Sequence, residues 1–263
     1  MSPRAFRDEA LSVSHLAMTP TVRGLMHVYF LRQRLNTLSK KARTNIKFVH
    51  IIGLGQRGST FAAWCALHGF IVTLHDPKPQ AIAATLHQAQ CLFEQRLSTP
   101  SLVRTALDRL IPDPEGHGLR RADWIIEAIY GDIALKQKLF SQWEIQSLSH
   151  ALFATTSPQS ILAELQKSLK NPKRLIGLHC FHSIERSPLI EIIYSECSDK
   201  EILEQGFAFV RQLNRLPLPV HQSPGFLINR LFFSYLFTKL FVYGNKVYPP
   251  HSLIVPRVVL VLL

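Results

Sequence analysis

Residues 49–76, VHIIGLGQRGSTFAAWCALHGFIVTLHD, run in the order strand, glycine turn, helix, second strand, acid. That order is what a dinucleotide needs. Gly53 lets the chain turn sharply out of the strand Phe48–Ile52, Gly55 removes a side chain where a pyrophosphate would approach the backbone, and Gly58 lets the helix lie close to the sheet. The N–H groups and dipole of the helix N-terminus favour an anion there. Asp76, closing the strand Ile71–His75, is placed to accept hydrogen bonds from an adenosine ribose, and an acid at this point favours NAD over NADP because a 2′-phosphate would meet like charge. Three glycines alone also fit an ordinary turn; the flanking strands, helix and acid select the dinucleotide reading.

The chain has 263 residues and an apolar fraction of 47%, enough for one full α/β domain with a smaller partner. Its four cysteines, Cys65, Cys91, Cys180 and Cys197, show neither CxxC nor paired spacing, so no metal site or disulfide framework is expected and a reducing cytoplasm suits them. The N-terminus lacks a signal-peptide core. The C-terminal apolar tract is broken by Pro256 and Arg257, so no membrane span is expected. A formal charge of +12 accompanies no nucleic-acid-binding signature, which leaves two readings: a field that draws a small ligand carrying several phosphates, or a solvated basic surface.

Three segments follow from the pattern. Residues 1–47 form a basic linker that ends in SKKARTNIK; within it Thr19 caps a helix with Pro20 in its first turn, and Leu25, Val28, Tyr29, Arg32 and Leu35 recur along one face. Residues 48–222 alternate strands and helices. Strands are predicted at Phe48–Ile52, Ile71–His75, Trp124–Ile129, Leu152–Ala154, Leu175–Leu178 and Leu189–Tyr194. Helices are predicted around Ile82–Leu97 and at Ile133–Trp143, Ile161–Leu169 and Glu201–Leu213. The fold class is therefore α/β, a Rossmann-type doubly wound, mainly parallel sheet. Residues 223–263 open with Ser223-Pro224-Gly225 and one long apolar helix, Phe226–Tyr243, which begins a second, helical domain. The tail beyond Gly244 has no helical period.

The chemistry is read from residues 174–195, RLIGLHCFHSIERSPLIEIIYS. His179 ends one strand, and Glu191 lies in the next, where a buried carboxylate needs a partner. A carboxylate bonded to one ring nitrogen fixes the tautomer and leaves the other nitrogen to take a proton from a hydroxyl. IGLGQRG, ADWIIEAIYGDIALKQKLF, RLIGLHCFHSIERSPLIEII and SPGFLINRLFFSYL together resemble the L-3-hydroxyacyl-CoA dehydrogenases, particularly the dehydrogenase part of bacterial multifunctional fatty-acid oxidation proteins. The resemblance runs nearly from Leu16 to Tyr243. It implies that His179 is the catalytic base, that Glu191 orients it, that Asn229 supports substrate and histidine, that Glu127 lines the nicotinamide side of the cofactor, and that Lys136 lies near the cofactor or the substrate. It also implies a hydratase–dehydrogenase linker at LAMTPTVRGLMHVYFLRQRL, a chain that stops one helix into the C-terminal domain, and a homodimer or a fatty-acid oxidation complex as partner.

Plainer roles stay open beside these. Glu127 fits a structural ion pair, Lys136 a solvated helix face, and Asn229 a cap or a bridge between packed helices. The chain also departs from the family pattern. HCFHS stands where HFFNP is usual, and ATTSPQS at 154–160 puts Pro158 where a hydroxyl-binding serine is expected, with Ser157 and Ser160 as substitutes. Gln56-Arg57 replaces an apolar pair, so Arg57 touches phosphate or reaches solvent. The function expected is NAD-dependent oxidation of an L-3-hydroxyacyl-CoA to the 3-ketoacyl-CoA. The alternatives are a catalytically inactive NAD-binding remnant and another NAD-dependent 3-hydroxyacid dehydrogenase, the latter without the His179–Glu191 spacing.

Overall fold

The computed structural model describes residues 3–39, 45–157 and 161–234. Two compact units divide the chain. The first contains helices α1 (Pro3–Ala17) and α2 (Pro20–Ser39), joined by a turn in which the Thr19 hydroxyl accepts from the Val22 N–H at 3.4 Å. The expected α2 start is present. α1 was not foreseen. Of the expected apolar face, Val28 is buried while Leu25 and Tyr29 are exposed.

The second unit is built on an eight-stranded sheet of order β3-β2-β1-β4-β5-β6-β7-β8. Its strands are β1 (Phe48–Ile52), β2 (Ile71–His75), β3 (Leu110–Pro112), β4 (Trp124–Glu127), β5 (Leu152–Thr155), β6 (Leu175–His179), β7 (Leu189–Tyr194) and β8 (Leu216–His221). Every neighbouring pair is parallel except β6 and β7. Helices α3 (Gln56–Leu67), α4 (Pro79–Arg96), α5 (Pro100–Leu107), α6 (Ile133–Gln146), α7 (Leu162–Gln166) and α8 (Lys200–Gln212) make the crossovers. The central strands are apolar at successive positions because both faces are covered. Trp124 and Ile126 enter one core cluster with Phe61 and Phe209, and Ile125 enters the other with Phe140 and Phe153.

Strand order reverses between β1 and β4, which opens a crevice at their carboxyl ends. Several boundaries differ from expectation. β4 stops at Glu127 rather than Ile129, because the Glu127 side chain turns back to accept the Ile129 N–H at 2.7 Å. β3, α5 and β8 were not foreseen. β8 carries Pro217 and Pro219, which argue against a strand, yet it is the sheet's last strand, where a missing N–H costs no ladder bond. The helix predicted over Phe226–Tyr243 starts later, at 228, because Gly225 (φ 78°) and Phe226 (φ 53°) form a left-handed turn before it. Its expected continuation past 234, the tail, and the linker residues 40–44 lie outside the described residues.

Candidate functional site

The glycine turn follows β1. Gly53 has φ 90°, and a side chain there would stand 2.9 Å from the Ala128 carbonyl, so glycine is required twice over. A Cβ on Gly58 would collide with the Gly53 carbonyl oxygen. This glycine therefore lets the first turn of α3 close onto the glycine turn and Ala128, rather than simply onto the sheet. Gly55 differs from both, since a Cβ added to it meets nothing within 4 Å. The N-terminus of α3 has no side-chain cap, so its first N–H groups and this open space together fit a pyrophosphate.

Asp76 directly follows β2. Its Oδ2 accepts from the Leu54 N–H and its Oδ1 from the Lys78 N–H, both at 2.9 Å. One carboxylate offers about four acceptor sites, so sites remain for ribose hydroxyls. The same residue thus holds the glycine turn to the start of α4.

His179 and Glu191 are brought together by the antiparallel pairing of β6 and β7, which sets the two residues opposite each other. His179 Nδ1 lies 2.6 Å from Glu191 Oε2, and both residues are buried. The other carboxylate oxygen, Oε1, accepts from the Leu227 and Ile228 N–H groups, each at 2.9 Å. With donors on both oxygens, Glu191 acts as an acceptor. In the tautomer that suits this acceptor Nδ1 carries the proton, and Nε2 is the ring nitrogen left to face a substrate. The Phe226 ring, 4.9 Å from the imidazole centroid to centroid, packs beside it. Asn229 is half-buried in the first turn of the helix that Glu191 caps, and its carboxamide makes no hydrogen bond to His179 among the described residues.

Glu127 and Lys136 form a second cluster at the ends of β4 and β5. Lys136 Nζ donates to Glu127 Oε1 at 2.7 Å, to the Ile129 carbonyl at 2.7 Å and to Ser157 Oγ at 2.6 Å, so all three of its protons are taken. Lys136 is 3% exposed, which removes the solvated-face reading. Glu127 Oε2 accepts from the Thr155 hydroxyl at 2.6 Å. The pair holds Ser157 in place; Pro158 and Ser160 lie outside the described residues. Sequence reasoning missed Thr155, the backbone donors to Glu191 and the packing of Phe226. Backbone groups leave no residue-type signal, and only the Ser-Pro-Gly break pointed to a special turn.

A cavity of about 240 Å³ lies between α3 and the end of β6, with Arg57 and Thr60 of α3 on one side, Thr156 beyond β5, and His179, Cys180 and His182 on the other. Burial pushes the Cys180 thiol up to about 12, so it is no nucleophile beside the imidazole. The arrangement can bind a dinucleotide at the glycine turn and accept a proton at His179 Nε2.

Residues 48–223 match the family model described as 3-hydroxyacyl-CoA dehydrogenase, NAD binding domain. Over 249 residues the chain is 27% identical to the fatty acid oxidation complex subunit alpha of Ectopseudomonas oleovorans, a match that covers 90% of this chain and 34% of that protein. The chain thus spans about a third of the length of this relative. A crystal structure of 3-hydroxybutyryl-CoA dehydrogenase from Escherichia coli K12 superposes with a TM-score of 0.73 at 27% identity, over 78% of this chain and 44% of that one. The fold is also that of (S)-3-hydroxybutyryl-CoA dehydrogenase from Ralstonia eutropha, with a TM-score of 0.72 at 24% identity over 79% of this chain and 75% of that one.

Proposed function

Since this chain belongs to the family of 3-hydroxyacyl-CoA dehydrogenase NAD-binding domains, we propose that it catalyses the NAD-dependent interconversion of an L-3-hydroxyacyl-CoA and its 3-ketoacyl-CoA in fatty-acid β-oxidation. The observation that carries this reading is the His179–Glu191 pair, 2.6 Å apart, with His179 lining one cavity together with Arg57 and Thr60 of the helix that follows the glycine turn.

In the oxidative direction His179 Nε2 removes the proton of the substrate's 3-hydroxyl. Glu191 holds the ring by Nδ1 and stabilises its charged form, while the Leu227 and Ile228 N–H groups hold Glu191. Bound NAD supplies the hydride acceptor. Gly53, Gly55 and Gly58 shape the pyrophosphate seat, and Asp76 receives the adenosine ribose. Glu127 and Lys136 position the end of β5 on the nicotinamide side, and Asn229 steadies the substrate from the helix that Glu191 caps. The cytoplasm is the proposed location, supported by four unpaired cysteines. Among the described residues no helix is long and apolar enough to cross a membrane. The proposed protein partner is a second copy or a fatty-acid oxidation complex subunit; relatives named as subunit alpha of that complex support the latter.

The test follows NADH absorbance with acetoacetyl-CoA as substrate. The wild type is expected to consume NADH, and His179→Gln to keep NADH affinity while losing at least about a hundredfold in rate. NADH binding without wild-type turnover would contradict the enzymatic reading and favour a non-catalytic NAD-binding protein.

A further inference from the structure

Arg57 is the second residue of α3, is solvent-exposed, and stands two positions after the open Gly55. Its Nη1 donates at 2.9 Å to the carbonyl oxygen of Thr156, just past the end of β5. The acceptor is held by its neighbours, because the Thr156 N–H is bonded to the Glu127 carbonyl at 2.9 Å and the Ser157 N–H to the Thr155 hydroxyl at 3.2 Å. In the sheet β4 lies between β1 and β5, so this contact bridges the carboxyl end of β4, beside the point where strand order reverses. Arg57, Thr156 and His179 line the same cavity. A ligand with one end at the α3 N-terminus and the other at His179 therefore passes within reach of the guanidinium.

The bond to Thr156 is a poor reason to keep an arginine here. It uses one of five N–H donors and meets a neutral carbonyl, and no carboxylate pairs with Arg57 among the described residues. Arg174 shows what a structural arginine looks like in this molecule. It is 7% exposed and donates to the carbonyls of Leu148, Ser149 and Ala151 and to Glu144. Arg57 instead keeps most of its donors unused at the edge of an anion seat. A guanidinium binds a phosphate through two parallel charge-assisted hydrogen bonds, each stronger than one to a neutral carbonyl.

We propose that Arg57 is a cofactor-binding strap that exchanges the Thr156 carbonyl for the pyrophosphate of the dinucleotide and so clears the passage between the glycine turn and His179. The proposal rests on the NAD-binding reading and adds a binding residue to it. An exposed side chain on a flexible stem can make this exchange without disturbing the core.

The full chain and its Arg57→Met variant would be titrated with NADH by fluorescence, and bound NADH displaced with ADP and with adenosine. The variant is expected to bind NADH and ADP about tenfold more weakly, ~1.4 kcal/mol, and adenosine as the wild type does. Equal NADH affinity in the two proteins overturns the strap while leaving the NAD reading intact. An equal loss for adenosine also overturns it, because Arg57 would then be supporting the fold rather than the phosphates. Failure of the wild type to bind NADH overturns both readings together.

Discussion

His50 shows what burial does to an imidazole that lacks a carboxylate in hydrogen-bond contact. It is 1% exposed, its Nδ1 is 2.7 Å from the Thr73 hydroxyl, and Asp113 Oδ2 is 3.7 Å away. Burial pushes its pKa from 6.5 down to about 4; the Asp113 charge offsets part of that shift and His75 adds to it. The unfolded chain therefore binds a proton, between those two values, that the folded chain refuses. Stability is full above about pH 6.5 and is lost as pH falls toward about 4, by on the order of 3 kcal/mol from this residue. Urea melts at several pH values are expected to show a shallower acid loss for His50→Gln than for the wild type, and identical slopes would refute this account. His179 has the carboxylate that His50 lacks, with Glu191 at 2.6 Å, and this pairing was readable because a lone acid in an apolar strand demands a partner. The alternatives for Glu127 and Lys136 were not separable from sequence, since i and i+9 spacing does not say that a strand end and a helix turn enclose the same buried space.

At the scale of elements, the β1–α3 turn separates two kinds of glycine. Gly58 leaves room for the Gly53 carbonyl and Gly55 leaves room for nothing the chain itself supplies. Gly58→Ala is expected to destabilise the fold by about 1–3 kcal/mol through overpacking. Gly55→Ala should melt within about 1 kcal/mol of the wild type yet bind NADH at least about tenfold more weakly. Denaturant melts and NADH titration read the two effects, and a Gly55→Ala variant with unchanged NADH affinity would contradict the pyrophosphate seat. The same elements show where sequence reading ends. β1, β2 and β7 were legible to the residue, because apolar runs bounded by glycine, asparagine and proline have few other uses. β8 was not, because Pro217 and Pro219 are tolerable only at a sheet edge and edge position is a property of the finished sheet. The start of the last described helix was misplaced by two residues, since a non-glycine left-handed residue, Phe226, carries no compositional mark.

For the molecule as a whole, the doubly wound sheet follows from alternating strand and helix patterns, and its polarity puts both the glycine turn and His179 at carboxyl strand ends. A net charge of +12 suits an anionic ligand or a solvated basic surface, and Arg57 is a cation at the start of the helix that follows the glycine turn. Coupling between the dinucleotide seat and the proton acceptor was legible as a resemblance, but the cavity that His179 shares with Arg57 and Thr60 of α3 depends on how the β6–β7 loop closes, which no local pattern encodes. The most direct test of that coupling is nitrogen NMR of the imidazoles in uniformly labelled protein, with His179 assigned by comparison with His179→Gln. The account predicts a protonated Nδ1 and a bare Nε2, with the Nε2 signal shifted by saturating NADH and unmoved by ADP, which lacks the nicotinamide. A His179 signal of the opposite tautomer, or one that NADH leaves in place, would contradict it.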